Sequence, residues 1–307
     1  MKLSVVSPVY MAENIVAELV KRVSEEVSVI TQDFEIILVD DCGPDNSWQE
    51  IKKQCAQFSY VKGVKLSRNF GQHYAISAGV AIAKGDNVVL MDCDLQDNPK
   101  DIQKLIQKRQ EGFDVVFTER TNRKHGFLKS LSTFIYNKLF VLFSESDYQI
   151  NAGSLVLFSR RVANEFNKLN DKDRLYIQML KWIGFKSTVI PVEHNPRFDG
   201  KSSYNFIKLM KMGIQGWTSH SDKLLKLSVY LGLSLSFVSV IIGLFIIMKY
   251  FFYDLQPGWP SIIVTILFST GLMLLSMGII GLYIGKIFEQ SKNRPLYIIE
   301  EEVNIND

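Results

Sequence analysis

Two long apolar runs near the C-terminus constrain this 307-residue chain more than any other feature. Leu227 to Met248 and Ser261 to Gly285 contain no Asp, Glu, Lys or Arg. A bilayer crossing needs about 20 apolar residues at 1.5 Å rise, so both runs are long enough. A pair of buried core helices is the alternative, but core helices of this length keep a polar stripe. The sequence therefore predicts a two-helix transmembrane hairpin over 227–285, with helices at about 227–252 and 260–285. Tyr250, Tyr253 and Trp259 in the linker suit the membrane interface. Lys223 and Lys226 precede the first run, and Lys286, Lys292 and Arg294 follow the second, whereas the linker sets only Lys249 against Asp254. The positive-inside bias predicts a multi-pass protein of the cytoplasmic membrane, with the N-terminal body and the 286–307 tail in the cytosol.

Ahead of the hairpin, short β-branched runs alternate with amphipathic stretches. Strands are predicted at 3–9, 34–39, 61–66, 87–91 and 113–117. Ile15, Leu19, Val23, Val27 and Ile30 recur at helical spacing between the first two, and Asn98-Pro99 opens another helix. This alternation predicts an α/β domain over residues 1–200 with a mostly parallel sheet. In such sheets ligands bind outside the carboxyl ends of the strands. Lys+Arg 35 against Asp+Glu 32 leaves a net charge of +3, which gives no case for a nucleic-acid partner. Cys42, Cys55 and Cys93 have no CxxC spacing and argue against a structural zinc site.

The predicted strand ends carry acidic residues: Asp40 and Asp41 after the second, Asp92 and Asp94 after the fourth. Asp-x-Asp at a strand end offers paired hard oxygen ligands, suited to Mg²⁺ or Mn²⁺ shared with substrate phosphates. An ordinary solvated acidic turn is the alternative. No GxGxxG and no GxxxxGK[ST] is present, which excludes a dinucleotide fingerprint and a P-loop. Residues 120–138 hold Arg120, Arg123, Lys124, Lys129 and Lys138 with no acid, and Phe127, Leu128, Leu131, Phe134 and Ile135 interleave at helical spacing. That pattern predicts a helix near anionic headgroups, against a solvated basic face as the plainer option. Arg197 and Lys201 frame a turn able to donate to phosphate oxygens. An apolar stripe from Phe206 to Trp217 predicts interfacial helices over 201–226.

The segments SVVSPVYMAEN, ILVDDCGPDNSW, KLSRNFGQHYAISAG, VVLMDCDLQDNP, INAG, WIGF and RFDGKSSY resemble those of family 2 glycosyltransferases. Within them they resemble the polyprenyl-phosphate enzymes, the dolichyl-phosphate mannose synthase-like and bactoprenol glucosyltransferase-like proteins. The resemblance implies a GT-A-like fold, a nucleotide-sugar donor (UDP by analogy with the bacterial two-span layout), a polyprenyl (undecaprenyl) phosphate acceptor and inverting transfer of one sugar for cell-envelope glycan modification. It implies that Pro8, Tyr10, Glu13, Asp41 and Arg68 bind the nucleotide-sugar, and that Asp92, Asp94 and Gln96 address the metal and diphosphate. Arg120, Lys129, Arg197 and Lys201 would bind donor and acceptor phosphates, with Asp94, Lys129 and Arg197 carrying catalysis. Homo-oligomers, tetramers among them, are implied as well.

Three departures stand out. Met11 replaces the usual Asn after the PVY motif, Ser154 stands where the family often has Asp after NAG, and QMLKW (178–182) nearly matches the QxxRW of processive synthases. Two other readings therefore remain open: a catalytically silent nucleotide-sugar-binding or scaffold subunit, and a processive polysaccharide synthase. The tail RPLYIIEEEV (294–303) reads as a strand able to pair with a neighbour.

Overall fold

A computed structural model describes residues 1–120, 152–193, 223–252 and 258–305. Lys129, Arg197, Lys201, the rest of the basic helix and the 206–217 stripe lie outside the described residues, as does the side chain of Arg120.

The chain forms two compact units. The first holds β1 (Leu3–Val9), α1 (Val16–Ile30), β2 (Phe34–Asp40), α2 (Ser47–Gln57), β3 (Val61–Leu66), α3 (Gln72–Ile82), β4 (Asn87–Leu90) and α4 (Asp101–Gln110). It continues with β5 (Val115–Arg120), β6 (Ala152–Ser159), α5 (Arg160–Lys168), α6 (Tyr176–Trp182), β7 (Ser187–Val192) and β8 (Ile299–Val303). The eight strands make one sheet in the order β7-β5-β6-β4-β1-β2-β3-β8. β1 pairs in parallel with β2 and β4, β2 with β3, and β5 with β7. β6 runs antiparallel to β4 and β5, and β8 antiparallel to β3. The sheet is thus mostly parallel, with helices on both faces, as the alternation predicts.

β1 is buried along its whole length because helices cover both of its faces. α1 presents Val16, Leu19, Val20, Val23 and Val27 to one face, the stripe expected of a 3.6-residue period. α3 packs on the opposite face with small residues from Ala75 to Val80. Gly79 lets its backbone lie against Val6, since a Cβ there would collide with the valine side chain. The two layers bury enough apolar surface to fix the register of the central strands.

The N-terminal ends of the strands carry a buried ion pair. Lys62 Nζ lies 2.8 Å from Glu35 Oε2, with side-chain exposures of 6% and 3%. Ser4 Oγ and the Lys84 amide also donate to Glu35 Oε1. Burial alone would raise the Glu35 pKa, but the hydrogen bonds from Lys62, Ser4 and Lys84 bring it below the ordinary carboxylate value. This end of the sheet is a stability element, opposite the strand exits.

The tail corrects one expectation. β8 pairs with β3 of the same chain, from Gly63 opposite Val303 to Leu66 opposite Ile299, and not with a neighbour. Trp48 Nε1 donates to Glu301 at 2.7 Å, Lys65 pairs with Glu300 at 2.9 Å, and Asn304 Nδ2 donates to the Cys55 and Val61 carbonyls. Pairing in cis covers the edge that β3 would otherwise present.

The second unit holds two long helices, α7 (Lys223–Phe252) and α8 (Trp259–Ser291), which pack against each other. Among the described residues one segment, Phe268–Ser291, is long and apolar enough to cross a membrane, and Ser228–Ser239 is a shorter apolar stretch. Large apolar side chains on both helices are exposed, including Leu233, Phe237, Ile241, Phe268, Met273 and Leu274.

Candidate functional site at the strand exits

Three parallel strands, β1, β2 and β4, deliver their following residues to one rim of the sheet. At each exit a non-glycine residue takes a left-handed backbone: Met11 (φ 53°), Cys42 (φ 54°) and Leu95 (φ 55°). Such residues cost of order 1–2 kcal/mol each, so the surrounding contacts must hold them. Gly43 sits where a Cβ would lie 3.2 Å from the Met11 nitrogen and 3.7 Å from the Tyr10 ring. The close approach brings the β1 and β2 exits together.

At the β1 exit, Pro8 is buried inside the strand, while Tyr10 is 44% exposed and presents an aromatic face. Glu13 acts as a strut: its Oε2 accepts from the Asn46 amide at 2.9 Å, and its own amide donates to Asp45 Oδ2 at 3.1 Å. The Ala12 amide donates to Ser47 Oγ, whose hydroxyl donates to Asp45. The first turn of α2 is thereby locked to the β1 exit.

At the β2 exit, Asp41 is buried and accepts from the Phe70 and Gly71 amides, each at 2.8 Å. Burial raises its pKa, opposed by the two amides and by Arg68. The carboxylate therefore anchors the loop 67–71 in addition to any contact it makes with a nucleoside. Arg68 is exposed and stacks over the Phe70 ring at 4.2 Å. Asp40 is buried, and its Oδ1 has no hydrogen-bond partner among the described residues. Burial, reinforced by Asp45 and Asp41, lifts its pKa to about 6 against the lowering by the Gly43 amide and Lys65.

At the β4 exit, Gln72 Nε2 donates to Asp92 Oδ1 at 2.6 Å, and the Gln96 amide donates to Asp94 Oδ1 at 3.2 Å. Cys93 between them is pushed up to about 12 by burial and then by the two flanking carboxylates, so it stays a thiol at neutral pH. Asp97 is buried and accepts from the Ser154 hydroxyl. Because β6 runs antiparallel to β4 with Leu90 opposite Val156, its first residues reach the same rim. Beyond Asp97 a cleft of about 650 Å³ is lined by Asn98, Asp101, Lys104, Pro191 and Glu193 among others, and by neither carboxylate of the Asp-x-Asp pair.

The rim thus brings together Tyr10, Glu13, Asp41, Arg68, Asp92, Asp94 and Gln96, with Pro8 one strand residue further in. Arg120 ends β5, opposite Val192 of β7. The structure also brings Gln72 and Asp97 to this rim, neither of which was among the predicted site residues. Their signal lay inside the quoted SRNFGQ and DLQD segments, but no periodicity marks them.

Among the described residues no group of three or more His, Cys, Asp and Glu side chains could hold a metal. An ion of the magnesium type takes one or two carboxylates plus substrate phosphates, so Asp92 and Asp94 form a sufficient protein contribution. A carboxylate offers about four lone-pair positions over two oxygens, and a hydrogen bond at Oδ1 is compatible with ligation.

Comparison with known proteins agrees with this architecture. Mannosyl-3-phosphoglycerate synthase from Rubrobacter xylanophilus shares the fold at a TM-score of 0.52 and 14% identity, over 70% of this chain and 71% of that one. The chain is 34% identical to the uncharacterized glycosyltransferase YkcC of Bacillus subtilis (strain 168), over 99% of this chain and 95% of the relative. It is 33% identical to the bactoprenol glucosyl transferase of Shigella phage SfV, over 98% of this chain and 99% of the relative. Residues 4–166 match the model of glycosyl transferase family 2. The chain is a glycosyltransferase and belongs to that family.

Proposed function

We propose that the protein transfers one sugar from a nucleotide-sugar, with UDP as the nucleotide, to a polyprenyl phosphate at the cytosolic face of the membrane, with inversion at the anomeric carbon. The observation that carries this reading is the meeting of Asp41, Arg68 and Gln72 with Asp92 and Asp94 at one rim. A nucleoside diphosphate needs an aromatic or polar base pocket beside a site for its charge, and Tyr10 and the Asp-x-Asp pair supply these. The near full-length likeness to a bactoprenol glucosyl transferase supports the acceptor class. The exposed apolar side chains of α7 and α8 support a lipid-embedded hairpin, because such surface is unfavourable in water.

A lipid phosphate monoester has a second pKa of about 6, so the attacking oxygen is anionic near neutrality and needs little help from a base. The chain's task is to hold two polyanions in line and to stabilise the departing diphosphate. Asp92 and Asp94 would hold a Mg²⁺ or Mn²⁺ ion, which when bound supplies Lewis-acid stabilisation of the leaving group. Gln72 orients Asp92, and the Asp41-anchored loop sets the depth of the nucleoside pocket. Arg120, Lys129, Arg197 and Lys201 are proposed as the cations that bind the donor and acceptor phosphates.

The test is transfer of radiolabelled sugar from UDP- and GDP-sugars into an organic-solvent phase by the detergent-purified chain. One labelled sugar per polyprenyl phosphate, lost with EDTA, is expected. Product that lengthens with time would instead identify a processive synthase, and binding without transfer a silent subunit.

A further inference from the structure

We propose that Ser154 is a positioning residue for the carboxylate pair, acting through Asp97; the inference rests on the donor-site reading above. The segment between β4 and α4 carries Asp92 and Asp94 and contains Leu95 in a left-handed backbone at φ 55°. Leu95 is nevertheless 4% exposed, so a strained residue is pinned inside the protein between Asp94 and Asp97. A strained residue persists only where its surroundings over-determine it. At the near end the restraints are the Met91 amide on the Val6 carbonyl at 3.0 Å and Gln72 on Asp92 at 2.6 Å. At the far end Ser154 Oγ donates to Asp97 Oδ2, a contact between residues 57 apart in sequence.

Ser154 is itself held firmly. Its carbonyl accepts from the Tyr176 hydroxyl at 3.3 Å, and Tyr176 is 5% exposed on α6. The residue before it, Gly153, lies so close to Thr118 that a Cβ would collide with the threonine hydroxyl. Strand β6 therefore presents a fixed hydroxyl to a buried carboxylate, and that carboxylate closes the loop bearing the Asp-x-Asp pair. A hydrogen bond to a buried carboxylate can hold a segment that would otherwise relax, because leaving such an acceptor unsatisfied is costly. Removing the hydroxyl should let Leu95 relax and displace Asp94, with Asp92 still held by Gln72.

The experiment measures binding of Mn²⁺ to the detergent-purified full chain with saturating UDP, by the electron paramagnetic resonance signal of free Mn²⁺, without any turnover. Ser154→Ala should weaken Mn²⁺ binding about 5- to 10-fold, and Ser154→Cys, which keeps the size but donates poorly, should do the same. Ser154→Thr, which keeps the hydroxyl, should bind within about 2-fold of wild type. In an Asp97→Ala background, Ser154→Ala should cause no further loss, as required of two residues acting as one unit. In sugar transfer, the donor KM should rise more than kcat falls, whereas a merely less stable protein would lose active fraction at unchanged KM. Wild-type affinity in folded Ser154→Ala or Ser154→Cys, or losses that multiply in the double variant, would overturn the proposal. A wild type that binds no Mn²⁺ with UDP would instead overturn the donor-site reading, and this inference with it.

Discussion

Gln72 Nε2 donates to Asp92 Oδ1 at 2.6 Å, joining the first residue of α3 to the first carboxylate of the Asp-x-Asp pair. The contact links residues 20 apart and couples the loop anchored by Asp41 to the β4 exit. A donor at this position holds Asp92 in one rotamer.

Replacing Gln72 with Ala should therefore lower kcat/KM for the nucleotide-sugar about 10-fold, roughly the 1.4 kcal/mol of one hydrogen bond to a charged group. Gln72→Glu should cost more, because it sets a second carboxylate against Asp92. Steady-state kinetics at fixed acceptor concentration checks both, and Gln72→Glu equal to wild type would show that the contact is incidental.

Much of the fold was legible in the sequence, because β1 to β4 are largely buried and rich in β-branched and aliphatic residues. The observed bounds of β1 and β3 coincide with the expected ones. β7 was not legible: Pro191 argues against a strand, yet it is tolerated here because β7 is the edge of the sheet. β6 was missed because its opening Ala-Gly-Ser carries little strand propensity before Leu155. The tail was legible as a strand but its partner was not, since pairing with β3 depends on the path the chain takes back from α8. The same limit applied to the site. The acidic strand ends were visible, whereas the ties from Asp41 to Phe70 and Gly71 and from Ser154 to Asp97 join separate loops and leave no periodic trace.

The Glu35–Lys62 pair should prove a stability element without a catalytic role. Lys62→Met removes the counter-charge from a buried carboxylate that keeps only its Ser4 and Lys84 hydrogen bonds, and about 3 kcal/mol of destabilisation is expected. The pH dependence follows from the lowered Glu35 pKa: in wild type its contribution is present above the ordinary carboxyl range and is lost as pH falls through the folded value. In Lys62→Met the burial effect is unopposed by lysine, so stability should rise as pH is lowered toward 5. Melting temperatures across pH 4–8 distinguish the two profiles. A Lys62→Met protein that melts like wild type at every pH would refute the pair's importance.

Asp40 behaves in the opposite sense. Its pKa is raised to about 6 by burial, so between about pH 4 and 6 the folded state holds more protons than the unfolded state. Its contribution to stability therefore diminishes as pH rises through that window. Asp40→Asn should raise the melting temperature at pH 7.5 and leave it nearly unchanged at pH 4.5. Because Asp40 lies beside Asp41, which is proposed to contact the nucleoside, the same variant should lose activity. A stabilisation equal at both pH values would show that ionisation of Asp40 is not its cause.

Met11 offers a prediction about backbone conformation alone. It follows Tyr10 at the β1 exit with φ 53° and is 60% exposed, so its side chain contributes little burial to offset the left-handed backbone. Asparagine tolerates that region better than methionine, through local hydrogen bonding of its short side chain. Met11→Asn should thus stabilise the protein by about 0.5–1 kcal/mol, a gain of a few degrees at most in melting temperature for a chain of this size. Met11→Gly removes the steric cost but adds unfolded-state entropy, so it should gain less. Met11→Val should lose stability, because a β-branched side chain is least compatible with positive φ. Thermal unfolding of the three variants in one detergent checks the order Asn, Gly, wild type, Val. If Val equals wild type, the left-handed conformation at the β1 exit does not limit stability.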